Sequence, residues 1–228
     1  MSNHRYLCAV GLMLAFSRPA SAQLRPPPRP ELSRPVPESA SSLARRALPD
    51  LQRLVTDRTF RGLGFRTPEE ARSIVLGAPL RVFSMPLDQL RAYRAGGRPD
   101  ELLVDTGEIL FPTLVGGETR AALVVRQVKM SWEVVSFGKA AMTASLAKAV
   151  RVLAARETAG AGAPFEVAVP ALNVFFAGRS TPRGLELAPL VDDPRFHLAA
   201  GTVMAAEDVV ARLAPFALTM KTGPFVAD

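Results

Sequence analysis

Three central stretches of this chain gather apolar, mostly β-branched and aromatic positions into strand-length runs, and they organise the reading of everything around them. Residues 108–115, 119–127 and 131–137 are rich in β-branched and aromatic side chains and read as strands. Gly116-Gly117 joins the first two as a two-residue hairpin, because both turn positions call for positive φ. Pro112 cannot donate to a ladder, which places its strand at an edge or a bulge. In the third run Trp132 and Val134 share one face, while Val135 and Phe137 share the other. Beyond Gly138 the period lengthens to that of a helix. Over 139–156, Met142, Leu146, Ala149 or Val150, and Leu153 form one stripe, with Thr143, Lys148 and Arg151 off it. A three-stranded meander followed by an amphipathic helix buries both apolar faces if the helix lies on the sheet. Met142 and Leu146 would then cover a buried Trp132. The expected fold class is α+β, an antiparallel sheet with helices packed on one face.

The flanks add weaker elements. Thr67-Pro68-Glu69-Glu70 has the form of a helix start, with a capping residue, a proline at the first turn and a capping-box glutamate, and Gly77 ends that helix. Leu51, Leu54 and Val55 indicate a shorter helix before it. Residues 80–84 read as a strand and 86–95 as a helix closed by Gly96-Gly97. After Gly160-Ala161-Gly162, strands are expected near 165–169, 173–177 and 185–191. A last helix spans 205–214, with Glu207 and Asp208 in its first turn and Pro215 as its stop. The segments 77–82 and 162–167 echo each other. The echo admits a duplicated unit with halves at about 49–158 and 159–228, although coincidence is the simpler reading in a chain rich in Ala, Gly and Pro.

Both ends of this arrangement change once the N-terminal region is considered. His4 and Arg5 lead into an apolar run at 6–16, and Ala20-Ser21-Ala22 follows as a small-x-small cleavage site. That run is far shorter than the roughly 20 residues a membrane span needs. Residues 1–22 therefore read as a signal peptide cleaved near Ala22, and the mature protein as periplasmic or extracellular. The single cysteine, Cys8, lies inside the leader, so disulfides, cysteine zinc sites and thiol nucleophiles are excluded from the mature chain. Residues 23–48, with Pro26-Pro27-Pro28, Pro30, Pro35 and Pro37, read as a disordered Pro/Arg-rich linker. The folded part is then expected at 49–228, as one domain.

Charge follows the same division. Of the formal +7, Arg5 and Arg18 leave with the leader, and five arginines against two glutamates give 23–48 a net +3. Residues 49–228 keep only +2, with no basic cluster interleaved with aromatics, which argues against nucleic acid as a partner.

Few residues offer chemistry. His197 is the one histidine of the mature chain and follows Asp192-Asp193-Pro194, a set that could seed a general base with its orienting acid or a metal site. Asp-Asp-Pro is first of all a turn, however, and no Gly-x-Ser-x-Gly elbow accompanies the histidine. Ser145 and Lys148 stand three apart on the expected helix, but a Ser-Lys arrangement needs a buried lysine. No cofactor motif and no metal-ligand spacing is present, and the aromatics fall in expected elements, where they read as core.

Residues 76–138, with Val169-Pro170-Ala171-Leu172-Asn173 and Pro189-Leu190-Val191-Asp192-Asp193, resemble uncharacterised exported proteins of Arg- and Ala-rich bacterial proteomes. That resemblance carries no activity with it. The sheet-then-helix unit is also similar to the small α+β domains of secreted protease propeptides and inhibitors, without a functional residue to transfer. The expected function is an exported, non-enzymatic binding module whose partner is a protein or an envelope component. The alternatives are a hydrolase using Asp192, Asp193 and His197, and a protease-regulating domain.

Overall fold

A computed structural model describes residues 31–156 and 158–220. The expected signal peptide, the expected cleavage site near Ala22 and the start of the expected linker lie outside the described residues. The described chain is α+β, with helices packed on a large open sheet that is mostly antiparallel. The strands are β1 (Val75–Leu76), β2 (Leu80–Ser84), β3 (Val104–Val115), β4 (Glu118–Val128), β5 (Ser131–Gly138), β6 (Phe165–Val169), β7 (Val174–Thr181), β8 (Gly184–Pro189) and β9 (Met204–Ala205). They form one nine-stranded sheet in the order β5-β4-β3-β2-β6-β7-β8-β9, with β1 paired to the far end of β3. The expected meander is present as β3–β4–β5, but it is only one end of this larger sheet.

The centre of the sheet is the parallel pair β2–β6, with Val82 opposite Glu166 and Phe83 opposite Val167. The two echoing segments of the sequence thus end up side by side. Each opens a run of consecutive antiparallel strands that closes in a helix.

Helices cover both faces of the sheet, not one. α3 (Ala140–Ala155) buries Leu146, Ala149 and Leu153 against Leu80, Val82, Leu110, Ala122, Val124, Ala177 and Ala188. On the opposite face, α4 (Ala206–Thr219) packs on β6–β8, and α1 (Glu38–Leu54) packs on Ile109, Phe111, Leu123 and Val125. Neighbours in the chain, such as Leu110 and Phe111, therefore point into different cores. This is why β3 and β4 carry continuous apolar runs, since a strand buried on both faces has no polar side to alternate with.

α1 begins inside the stretch expected to be linker. Its contact stripe is Ala40, Ala44, Ala47 and Leu51, spaced as one helical face, and the preceding Leu32 and Val36 also pack on the sheet side. Small side chains let the helix lie close to β4 and β5. The expected helix at 67–77 is reduced to a six-residue 3-10 turn, Pro68–Ser73, followed directly by β1. Its Glu70 is drawn to Arg120 of β4 at 2.9 Å, in a pair that is largely shielded from solvent. Burial pushes the Glu70 carboxyl up, but the Arg66 N–H and the Arg120 guanidinium outweigh it and hold it below the ordinary glutamate range.

Other departures have local causes. Pro112 lies in an interior strand, where it falls in the gap between β1 and β2, and its carbonyl accepts from the Gly77 N–H at 2.7 Å. A bulge at Val135 of β5 shifts the phase, so Phe137 joins Trp132 and Val134 on the α1 face. Trp132 is accordingly half-buried under α1, and Met142 and Leu146 lie in the core across the sheet. Pro215 sits inside α4, which runs on to Thr219. The short helix α2 (Leu87–Ala92) sends Arg91 to the Ala217 carbonyl at 2.8 Å, a bond to an acceptor in the last turn of α4.

Candidate functional site

The sequence singles out the Asp192–His197 turn, and the structure shows how its groups are used. Asp193 caps a 3-10 turn, Pro194–Phe196, by accepting from the Arg195 N–H at 3.1 Å. It also pairs with the Arg195 guanidinium at 2.6 Å, and that hydrogen bond holds its carboxyl below the usual aspartate range against the opposing effect of burial. Asp192 accepts from the Ala200 N–H at 2.8 Å. His197 ends the turn in the left-handed region at φ 52° with its side chain exposed, while its carbonyl is held by Arg212. Among the described residues, no hydrogen bond joins its imidazole to either aspartate. Both carboxylates therefore serve to shape a loop.

The Ser145–Lys148 pair lies on α3 as expected, but Lys148 is exposed and lacks the burial that a Ser-Lys arrangement requires. Among the described residues, no group of three His, Cys, Asp or Glu side chains is placed to hold a metal ion. No helix among them is long and apolar enough to cross a membrane.

A concentration of charge and aromatic surface occurs instead at the end of the sheet where α1 begins. There a cleft of about 570 Å³ is walled by Arg34, Pro37, Leu43 and Arg46 on one side. The ends of β2, β3, β4 and β5 form the other wall, through Arg81, Asp105, Ile109, Gln127 and Trp132. Both walls follow from local structure. The alanine stripe of α1 sets its distance from β4 and β5, while the Lys129-Met130 turn carries Trp132 to the start of β5. Met130 at the tip of that turn is 96% exposed.

The polar groups of the cleft are unequally committed. Asp105 is taken by Arg81 and accepts from the Gly107 N–H at 3.0 Å, and Glu108 is taken by Arg126, whose Nε lies at 2.9 Å. Arg34 and Arg46 are exposed and have no side-chain partner among the described residues. Arg81 is more deeply set, with 13% of its side chain exposed, and its Nε is buried without a hydrogen-bond partner. The cleft thus presents more guanidinium donors than acceptors beside an indole face.

None of these cleft residues emerged from the sequence as a site, because they come from segments up to about a hundred residues apart. A second buried polar group lies elsewhere. Glu166 of β6 is nearly inaccessible on the α3 face, and burial drives its carboxyl above the ordinary range, with Lys139 opposing and Glu108 adding to the rise. No protein-family model, no curated protein and no solved structure matches this chain.

Proposed function

We propose that this protein is an exported, non-enzymatic binding module of the periplasm or cell envelope, and that the cleft beneath the start of α1 is its ligand site. The observation that carries the reading is the cleft itself, where uncommitted guanidiniums and a half-buried tryptophan meet in a space of about 570 Å³. That volume falls within the roughly 300–1,000 Å³ of small-ligand pockets, which combine apolar surface with a few placed polar groups. The Asp192–His197 alternative draws less support, since each aspartate is engaged in its own loop. Export rests on the N-terminal pattern, and nucleic acid is not among the proposed partners.

The test is an amide-resolved NMR titration of the mature chain with a panel of small neutral, cationic and anionic compounds. Shifts confined to 34–46, 105–109 and 127–132 are expected. Shifts around 192–200, together with turnover of ester or peptide substrates that His197→Ala abolishes, would replace this reading with the hydrolase. Mass spectrometry of the native protein should place its N-terminus at Gln23, and an intact Met1 would remove the export part.

A further inference from the structure

We infer that the occupant of the cleft is a small organic anion, a carboxylate or phosphate ester with a flat apolar body. Arg34, Arg46 and Arg81 would hold its charged end, and Trp132 would lie against the rest. This assignment of ligand chemistry rests on the cleft being the binding site.

The charge balance argues for it first. Arg34, Arg46 and Arg81 line the cleft with one acidic side chain, Asp105, while the register of β3 turns the neighbouring Glu108 carboxylate to the α3 face. Glu108 is neutralised by Arg126, from which it accepts two hydrogen bonds, and Asp105 by Arg81. Among the described residues, two guanidiniums, those of Arg34 and Arg46, are then left unopposed. A planar guanidinium presents paired donors that match the two oxygens of a carboxylate or phosphate, so the surplus selects for such groups over a simple halide.

Arg81 supplies the second argument. Its Nε is buried without a partner, although a buried unsatisfied donor ordinarily costs about 1–3 kcal/mol. Such orphans are uncommon in native proteins and call for an explanation. Because the Nε itself is inaccessible, a ligand oxygen would supply the missing bond only with a turn of the guanidinium toward the cleft, a cost offset in the bound state.

The apolar wall sets the rest of the ligand. Trp132, Ile109, Leu43 and Pro37 line the same space, so an anion with no apolar part would leave them wet. The cleft is of small-molecule size, which disfavours a folded partner as its occupant.

Trp132 is the only tryptophan in the chain, so its fluorescence reads this cleft directly. The full chain would be titrated at constant ionic strength with 3-phenylpropionate, phenyl phosphate and the neutral 3-phenylpropanamide. A saturable change is expected with at least one anion, and binding about 10-fold weaker or worse for the amide, the equivalent of about 1.4 kcal/mol. The stronger of the two acids identifies the headgroup. Arg34→Ala/Arg46→Ala should weaken that anion at least tenfold with an unchanged circular dichroism spectrum, because both side chains are exposed. Equal binding of amide and acid would overturn the anion assignment while leaving the cleft a binding site, as would a double variant that binds like the parent. Silence of all three probes at millimolar concentration, together with no NMR shifts in the cleft from the wider panel, would overturn both readings.

Discussion

Deleting residues 31–46 should unfold or severely destabilise the protein. The segment carries Leu32, Val36, Ala40, Leu43 and Ala44, and its removal uncovers the face formed by Ile109, Phe111, Leu123 and Val125. Those four side chains are now 0–3% exposed. Full burial of such a side chain is worth about 1.5–3 kcal/mol. Each keeps its neighbours within the sheet after the deletion, so about half of that is forfeited, or roughly 3–6 kcal/mol in total. A typical domain has about 5–15 kcal/mol to lose. Urea unfolding followed by circular dichroism and by Trp132 emission should therefore show a large fall in midpoint, or no transition at all. Ala44→Asp, which sets a charge against the sheet without shortening the chain, should act in the same direction. A mobile tail contributes little to stability. If the truncated chain and Ala44→Asp both unfold within about 1 kcal/mol of the parent, α1 does not pack as described and 23–48 is a linker after all.

Glu166 gives a prediction of opposite sign. Its folded pKa stands above its ordinary 4.5, so the native chain holds more protons than the unfolded chain between the two values, and stability falls as pH rises through that window. Glu166→Gln should raise Tm at pH 7, with the gain shrinking toward pH 4.5; a gain that stays constant with pH would refute the burial argument. Glu70→Ala leaves the Arg120 guanidinium, which is 10% exposed, with Glu118 as its remaining partner, and should cost about 1–3 kcal/mol in urea unfolding; a negligible loss would show that Glu118 alone suffices. His197→Ala, at an exposed turn position, should leave stability within about 0.5 kcal/mol by the same measurement, and a larger drop would mean the imidazole packs or bonds in a way not seen here.

The strands were legible because β-branched and aromatic runs announce them within a single segment. What a segment cannot encode is its neighbour. The parallel pairing of β2 with β6 joins residues more than eighty positions apart, and the bulge at Val135 is defined only against β4. Helices on both faces did leave a trace, since Ile109-Leu110-Phe111 and the run 121–125 are continuous where a half-exposed strand would alternate. α1 was hidden for a different reason. Ala40, Leu43, Ala44, Ala47, Leu48 and Leu51 have helical spacing, but alanine carries little hydrophobic signal, and one proline precedes the helix while another lies within it. Pro37 is tolerated because it precedes the first turn, and Pro49 because the contact stripe continues past it.

The candidate site was illegible for a reason that also explains its position. Groups adjacent in sequence, such as Asp192, Asp193, Arg195 and His197, tend to satisfy one another's backbone and charge, and a loop closes around them. The cleft, by contrast, is made of groups that the fold brings together from afar. Counted along the chain, the arginines of 23–48 looked like the charge of a solvated tether. Once the alanine stripe docks α1, Arg34 and Arg46 are carried to the end of the sheet where Arg81 and Trp132 already stand. Docking of α1 and completion of the cleft are thus one event. Substitutions that lift the helix, such as enlarging Ala40 or Ala44, should weaken ligand binding along with stability, whereas Arg34→Ala and Arg46→Ala should separate the two.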